Sequence, residues 1–203
     1  NLNKFTIVDK PLCINSDELN QIIDAREVYN ANYVCFMSRR YSEHTLHLEK
    51  YINNRTGPFH LDLNFQVPRK DVNDPIYKEG GRLVGEMCHH VDLAIFLLGK
   101  PLKISYADTD ESSPISLREN ASILLTFKNG STAYIRYSSI GNLEGVKEKI
   151  KLSFDSEVLE ITDFMKTVHI SKKNKEVLMN KFDKGFEGMW KHLSRIISSE
   201  ELD

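Results

Sequence analysis

The chain has 203 residues, with 27 Lys and Arg against 29 Asp and Glu and a formal net charge of -2. That length suits one large domain or one domain plus part of another, and the balanced charge argues against nucleic acid or an anionic membrane as partner. Three scattered cysteines, Cys13, Cys35 and Cys88, form no C-x-x-C pair and no disulfide framework, so a reducing cytoplasm is expected.

In chain order, FTIV at 5–8 reads as a short buried strand that ends before Pro11. A helix follows, with Asn15 or Ser16 as N-cap, Asp17 and Glu18 in its first turn, and Leu19, Ile22, Ile23 and Val28 as an apolar stripe. NYVCFMS at 32–38 is a second strand, which makes residues 1–38 a strand, helix, strand unit of parallel type. Next comes a helix in SEHTLHLEKYINN, with Leu46, Tyr51 and Ile52 expected on its inner face. The alternation of Phe59, Leu61, Leu63, Phe65 and Val67 then marks a strand with one face on a core.

A helix is expected from Arg82 to Leu98, stopped by Gly99 and Pro101. From 102 onward strand-like runs dominate (LKISYAD, ASILLTF, TAYIRYS, KEKIKLSF, EVLEI, TVHIS), and Asn129-Gly130 predicts a tight type I′ hairpin. A closing amphipathic helix near 185–198 is expected to dock on the resulting sheet, with Trp190 and the Phe182–Phe186 pair read as core or subunit contacts. The fold class is therefore α+β, an open mixed or antiparallel sheet with helices on one face. No apolar run reaches the roughly 20 residues of a membrane span, and no signal peptide is evident.

Three segments in order resemble the Gfo/Idh/MocA family of NAD(P)-dependent oxidoreductases. FTIVDKPLCINSDEL at 5–19 is similar to the family's strand ending in Glu-Lys-Pro; VCFMSRRYSEHTLHL at 34–48 is similar to its Arg-Arg strand end; GGRLVGEMCHHVDLAIFLLGKP at 80–101 is similar to its Gly-Gly turn and His-x-x-Asp helix. Within the family, the wording of the third segment is closest to a bi-domain type linked to polysaccharide biosynthesis. The chain departs from the pattern at Asp9, where Glu is usual, and at Gly85, where many members place Asp.

The resemblance implies that residues 1–40 are the end of a dinucleotide-binding Rossmann domain, truncated because no G-x-G-x-x-G occurs, and that 41–203 form the substrate-binding and oligomerisation domain. It further implies NAD or NADP as cofactor and a sugar or sugar nucleotide as substrate. Assembly into a homo-dimer or homo-tetramer through the sheet face follows as well, as does inactivity of this piece alone.

The residues themselves suit that chemistry. His89 has an ordinary pKa of about 6.5 and can take a carbinol proton, with Glu86 or Asp92 one helical turn away to orient it. Lys10, just past a parallel strand and fixed by Pro11, can polarise the reacting oxygen and border the cofactor; Arg39, Arg40 and His90 are candidates for gripping substrate. A zinc site at Glu86, Cys88, His89 and His90 is disfavoured, since adjacent histidines point about 100° apart on a helix. The alternative to an enzyme is a non-catalytic sugar-sensing or scaffold protein on the same fold, to which the Gly85 departure points.

Overall fold

The computed structural model describes residues 6–78, 80–108, 112–142 and 144–198. Strands β1 (Thr6–Val8) and β2 (Tyr33–Cys35) pair in parallel, with Ile7 opposite Val34, and helix α1 (Ser16–Tyr29) makes the crossover. Asn15 caps α1 by accepting a hydrogen bond from the Glu18 amide at 2.8 Å, and Asn30 closes it in the left-handed conformation at φ 47. The apolar stripe of α1 is not covered: no residue of this helix is buried, and Val28 stands 73% exposed.

β2 stops at Cys35, short of the expected 38, because residues 38–41 tighten into a 3₁₀ turn that delivers Ser42 as N-cap of α2 (Glu43–Asn53). That cap sets the rotation of α2 so that His44, Thr45, Leu48 and Tyr51 face inward. Leu46, expected inside, therefore lies outside.

An eight-stranded sheet occupies the rest, built from β3 (His60–Gln66), β4 (Lys103–Asp108), β5 (Asn120–Thr126), β6 (Thr132–Ser138), β7 (Glu148–Phe154), β8 (Glu157–Thr162), β9 (Lys166–Ile170) and β10 (Lys175–Asn180), in the order β10-β9-β8-β7-β3-β6-β5-β4. All neighbours are antiparallel except β3 and β6. The period-2 pattern of β3 works as read: Phe59, Leu61, Leu63, Phe65 and Val67 are all buried. They meet Leu48 of α2 and Leu93, Ala94 and Leu97 of α3 (Cys88–Leu98) in one core.

Both helices lie on that face. The opposite face is open on β5 and β6, where the paired Leu124 and Tyr134 are exposed; Ile104 and Tyr106 of the edge strand β4 are exposed on the helix side, in register with Leu125 and Ile123. The α+β architecture is thus the expected open mixed sheet with helices on one side, preceded by a parallel strand, helix, strand unit.

Three local expectations are corrected. At the β5–β6 hairpin Gly130 takes φ 84 but Asn129 is not left-handed; its side chain accepts from the Ser131 amide instead, so the turn is wider than type I′. Strand β10, polar in sequence, was not expected; it pairs at the sheet edge with a bulge between Val177 and Met179. Helix α4 (Phe186–Ser198) docks on the 3₁₀ turn after β2 rather than on the large sheet, with Met189 and Leu193 buried against Phe36.

Candidate active site

Strand β1 ends at Val8 and releases Asp9, Lys10 and Pro11 as a loop. Asp9 accepts from the Lys10 amide at 2.8 Å, and the Lys10–Pro11 peptide is cis. The ammonium of Lys10 then donates to the main-chain oxygen of Gly85 at 2.7 Å. Gly85 belongs to a π-helical turn (Leu83–Met87) that leads directly into α3, whose second residue is His89. Wide turns of this kind recur at functional sites because they redirect side chains within an otherwise regular helix.

The loop and the helix open onto one cavity of about 490 Å³. Asp9, Lys10, Ser38 and His89 give it a polar side; Phe36, Phe186, Met189 and Trp190 give it an apolar one. Burial, followed by the positive charges of Arg39 and Lys10, pushes the His89 imidazole down to about 3, so it is neutral at physiological pH. Its Nδ1 is buried and finds no hydrogen-bond partner among the described residues. A neutral imidazole can accept a hydrogen bond from a hydroxyl, and the ammonium on the same cavity can stabilise a developing alkoxide; the same burial and cations that hold the ring neutral make it a weak base in the free protein.

Residues 57–148 match the model of the GFO/IDH/MocA C-terminal domain. Over that stretch, somewhat under half of its length, the chain is similar to a GFO/IDH/MocA C-terminal domain. No curated protein matches it. Among solved structures, similar ones include an oxidoreductase from Agrobacterium radiobacter in complex with NAD+, L-tartaric acid and magnesium (16% identity, TM-score 0.74, covering 95% of this chain and 63% of that one). The WlbA dehydrogenase from Bordetella pertussis in complex with NADH and UDP-GlcNAcA is similar at 14% identity and TM-score 0.72, covering 98% and 63%. The aldose-aldose oxidoreductase from Caulobacter crescentus complexed with glycerol is similar at 16% and 0.77, covering 96% and 62%. At these identities the likeness is one of fold, and the chain spans about three fifths of the length of these proteins.

The candidate residues separate into two groups. Lys10 and His89 line the cavity together, with Pro11 directly behind Lys10. Glu86 does not join them: Tyr137 donates its hydroxyl to Glu86 and Arg82 Nη2 donates at 3.2 Å, turning the carboxylate toward the sheet. Burial and then this bond push the Tyr137 phenol far up. Asp92, the other candidate to orient His89, is held bidentately by Arg40, which also lies over the Phe96 ring at 5.4 Å.

Arg39 and His90 are likewise turned away from the cavity. Arg39 forks onto Glu148, which also receives Lys184 at 2.7 Å; burial alone would raise the Glu148 carboxyl, but Arg39 and Lys184 outweigh it and hold it low. His90 is buried on the same network, 3.9 Å from Glu148 and against the Phe65 ring. Arg39 thereby ties the 3₁₀ turn after β2 to β7, and His90 packs beneath it in α3; neither lines the cavity.

The cavity residues that sequence reading missed are Ser38, hidden by a strand assignment that ran too far, and the aromatic side chains of α4. No grouping of three or more metal-ligating side chains occurs among the described residues.

Proposed function

We propose that the cavity between Lys10 and His89 is the substrate side of an NAD(P)-linked oxidoreductase site, acting on a hydroxyl of a sugar or sugar nucleotide. The observation that carries this reading is that two side chains 79 positions apart in sequence, a loop lysine and a helix histidine, line one cavity. Neutral His89 would accept the hydroxyl proton while Lys10 polarises the same oxygen; a bound nicotinamide would supply the hydride acceptor.

The residues present fit the nicotinamide end of such a cofactor: the cavity lies past the C-terminal end of a parallel strand, whose Ile7 and Val8, with Phe36, give a planar ring apolar contacts apart from those of α4. The chain contains no G-x-G-x-x-G, so the pyrophosphate cradle would come from further chain. In this reading residues 1–40 end a dinucleotide-binding domain, 41–203 form the substrate domain, and the piece alone is inactive. The exposed Leu124 and Tyr134 of β5 and β6 support pairing of copies through the open sheet face as a homo-oligomer. A cytoplasmic setting and a role in polysaccharide biosynthesis complete this reading.

Isothermal titration of the full-length protein with NADH, followed by assay of NAD+ reduction with a sugar nucleotide such as UDP-GlcNAcA, tests the reading. NADH binding and turnover that collapses in Lys10→Ala are expected. Absence of binding, or turnover unchanged in Lys10→Ala, overturns it.

A further inference from the structure

Helix α4 brings an aromatic face to the cavity that proton transfer does not use. Phe186 and Trp190 stand one helical turn apart and both line it, while remaining 55% and 56% exposed. Met189 and Leu193, on the adjoining stripe, make the packing contacts instead. Two aromatic side chains are thus kept out of the core and presented to open space beside Lys10 and His89.

Their position is fixed by the backbone. A Cβ at Gly185, which has φ 84, would come within 2.0 Å of the Ser38 carbonyl oxygen, and one at Gly188 within 2.6 Å of that of Tyr41. The start of α4 can therefore sit on the 3₁₀ turn at main-chain contact. Asp183 secures it, accepting from the Gly185 amide and from the Glu43 amide at the head of α2, both at 2.7 Å. Stacking residues held this way lose little freedom when a ligand arrives.

The wall they form faces a polar one. A ligand that satisfies both needs a flat patch of C–H groups on one side and a rim of hydroxyls on the other. A pyranose ring has that shape: its axial C–H bonds meet the electron-rich face of an aromatic ring, and its equatorial hydroxyls project outward. A small dicarboxylic acid would leave the rings without contact, and a wholly apolar ligand would strip water from Asp9 and Lys10 without replacing its hydrogen bonds.

We propose that Trp190, flanked by Phe186, is the stacking platform for a pyranose ring and selects ring-form sugars at this site. The proposal rests on the cavity being a substrate site, as argued in the preceding subsection.

Trp190 is the chain's one tryptophan, so its emission reports on this spot alone. The protein is titrated with methyl β-D-glucopyranoside, following tryptophan emission and saturation transfer from protein to sugar protons by NMR. The expected result is a saturable emission change with transfer concentrated on the axial C–H protons, and no response to tartrate. Trp190→Phe should keep that transfer pattern, and Trp190→Ala should weaken binding about fivefold to tenfold.

Unchanged emission, or an unaltered transfer pattern in Trp190→Ala, overturns the proposal. So does a response to nicotinamide mononucleotide but not to the pyranoside, which would make the wall a cofactor surface. A blue shift that grows with protein concentration without sugar would mean a second copy covers the ring, and overturns it as well. Turnover is not read here, so a failure of stacking and a failure of hydride transfer remain distinguishable.

Discussion

The ammonium of Lys10 donates a hydrogen bond to the carbonyl oxygen of Gly85, across 75 residues of sequence, at 2.7 Å. The acceptor is neutral and cannot itself take a proton, so His89 is the remaining titratable partner of Lys10 at the cavity apart from Asp9. The architecture of the π turn decides where that oxygen points.

Glu86 anchors this turn, through Arg82 and Tyr137, from the side away from the cavity. Glu86→Gln should cost about 1–2 kcal/mol, because Arg82, 1% exposed, loses a charged partner. Denaturant titration reads the stability. Turnover should fall by much less than in Lys10→Ala; an equal fall with unchanged stability would return Glu86 to the proton path.

Arg39→Ala should be the more damaging change. It leaves Glu148, 1% exposed, with Lys184 as its remaining close cation and breaks a buried bidentate pair, at a cost of about 3–5 kcal/mol. A midpoint shift equivalent to less than 1 kcal/mol would show that water reaches this network.

Acid should destabilise the fold through its buried histidines. Burial pushes His90 down to about 4 and His89 to about 3, so both are neutral when folded but protonate near 6.5 when unfolded. Their contribution is complete above pH 6.5 and falls as pH drops toward 4, by about 1.4 kcal/mol per pH unit for each. Glu148, held low, gives way only below its ordinary carboxylate range. His90→Gln should therefore lower the slope of stability against pH, between 6 and 4, by one proton's worth. An unchanged slope would mean that His90 is already charged in the native state.

Gly185→Ala tests the seating of α4. The added methyl meets the Ser38 carbonyl and the residue must keep φ 84, so a loss of about 1–3 kcal/mol is expected, with Trp190 emission shifted to the red as the helix lifts. Wild-type emission and stability in this variant would show that α4 tolerates displacement.

What sequence could and could not reveal follows from which rule each residue obeys. Phe59 to Val67 alternate strictly, and a period of two has one structural outcome, so β3 and its buried face were legible. The parallel unit around α1 was legible from its cap and its flanking strands. Glu86 was not: its expected place beside His89 assumes regular helical spacing, and the π turn over Leu83–Met87 breaks that spacing between them. Arg39 and His90 looked like site residues because sequence records a polar side chain but not its surroundings; Glu148, which pairs with Arg39 and lies 3.9 Å from the buried His90 ring, is more than 50 positions away from either. The amphipathic spacing of α4 announced a buried face without saying against what, so its seat on Phe36 and the exposure of Trp190 emerged only from the fold.

The most direct test of the account is a double-mutant cycle in the full-length protein: kcat/KM for NAD+-linked sugar oxidation in Lys10→Ala, His89→Ala and the pair. Groups that act on one oxygen fail together, so each single change should cost about 10²–10⁴-fold and the double variant should be little worse than the poorer single. Losses that multiply in the double variant, or a His89→Ala variant with wild-type kcat/KM, would contradict a shared reaction centre.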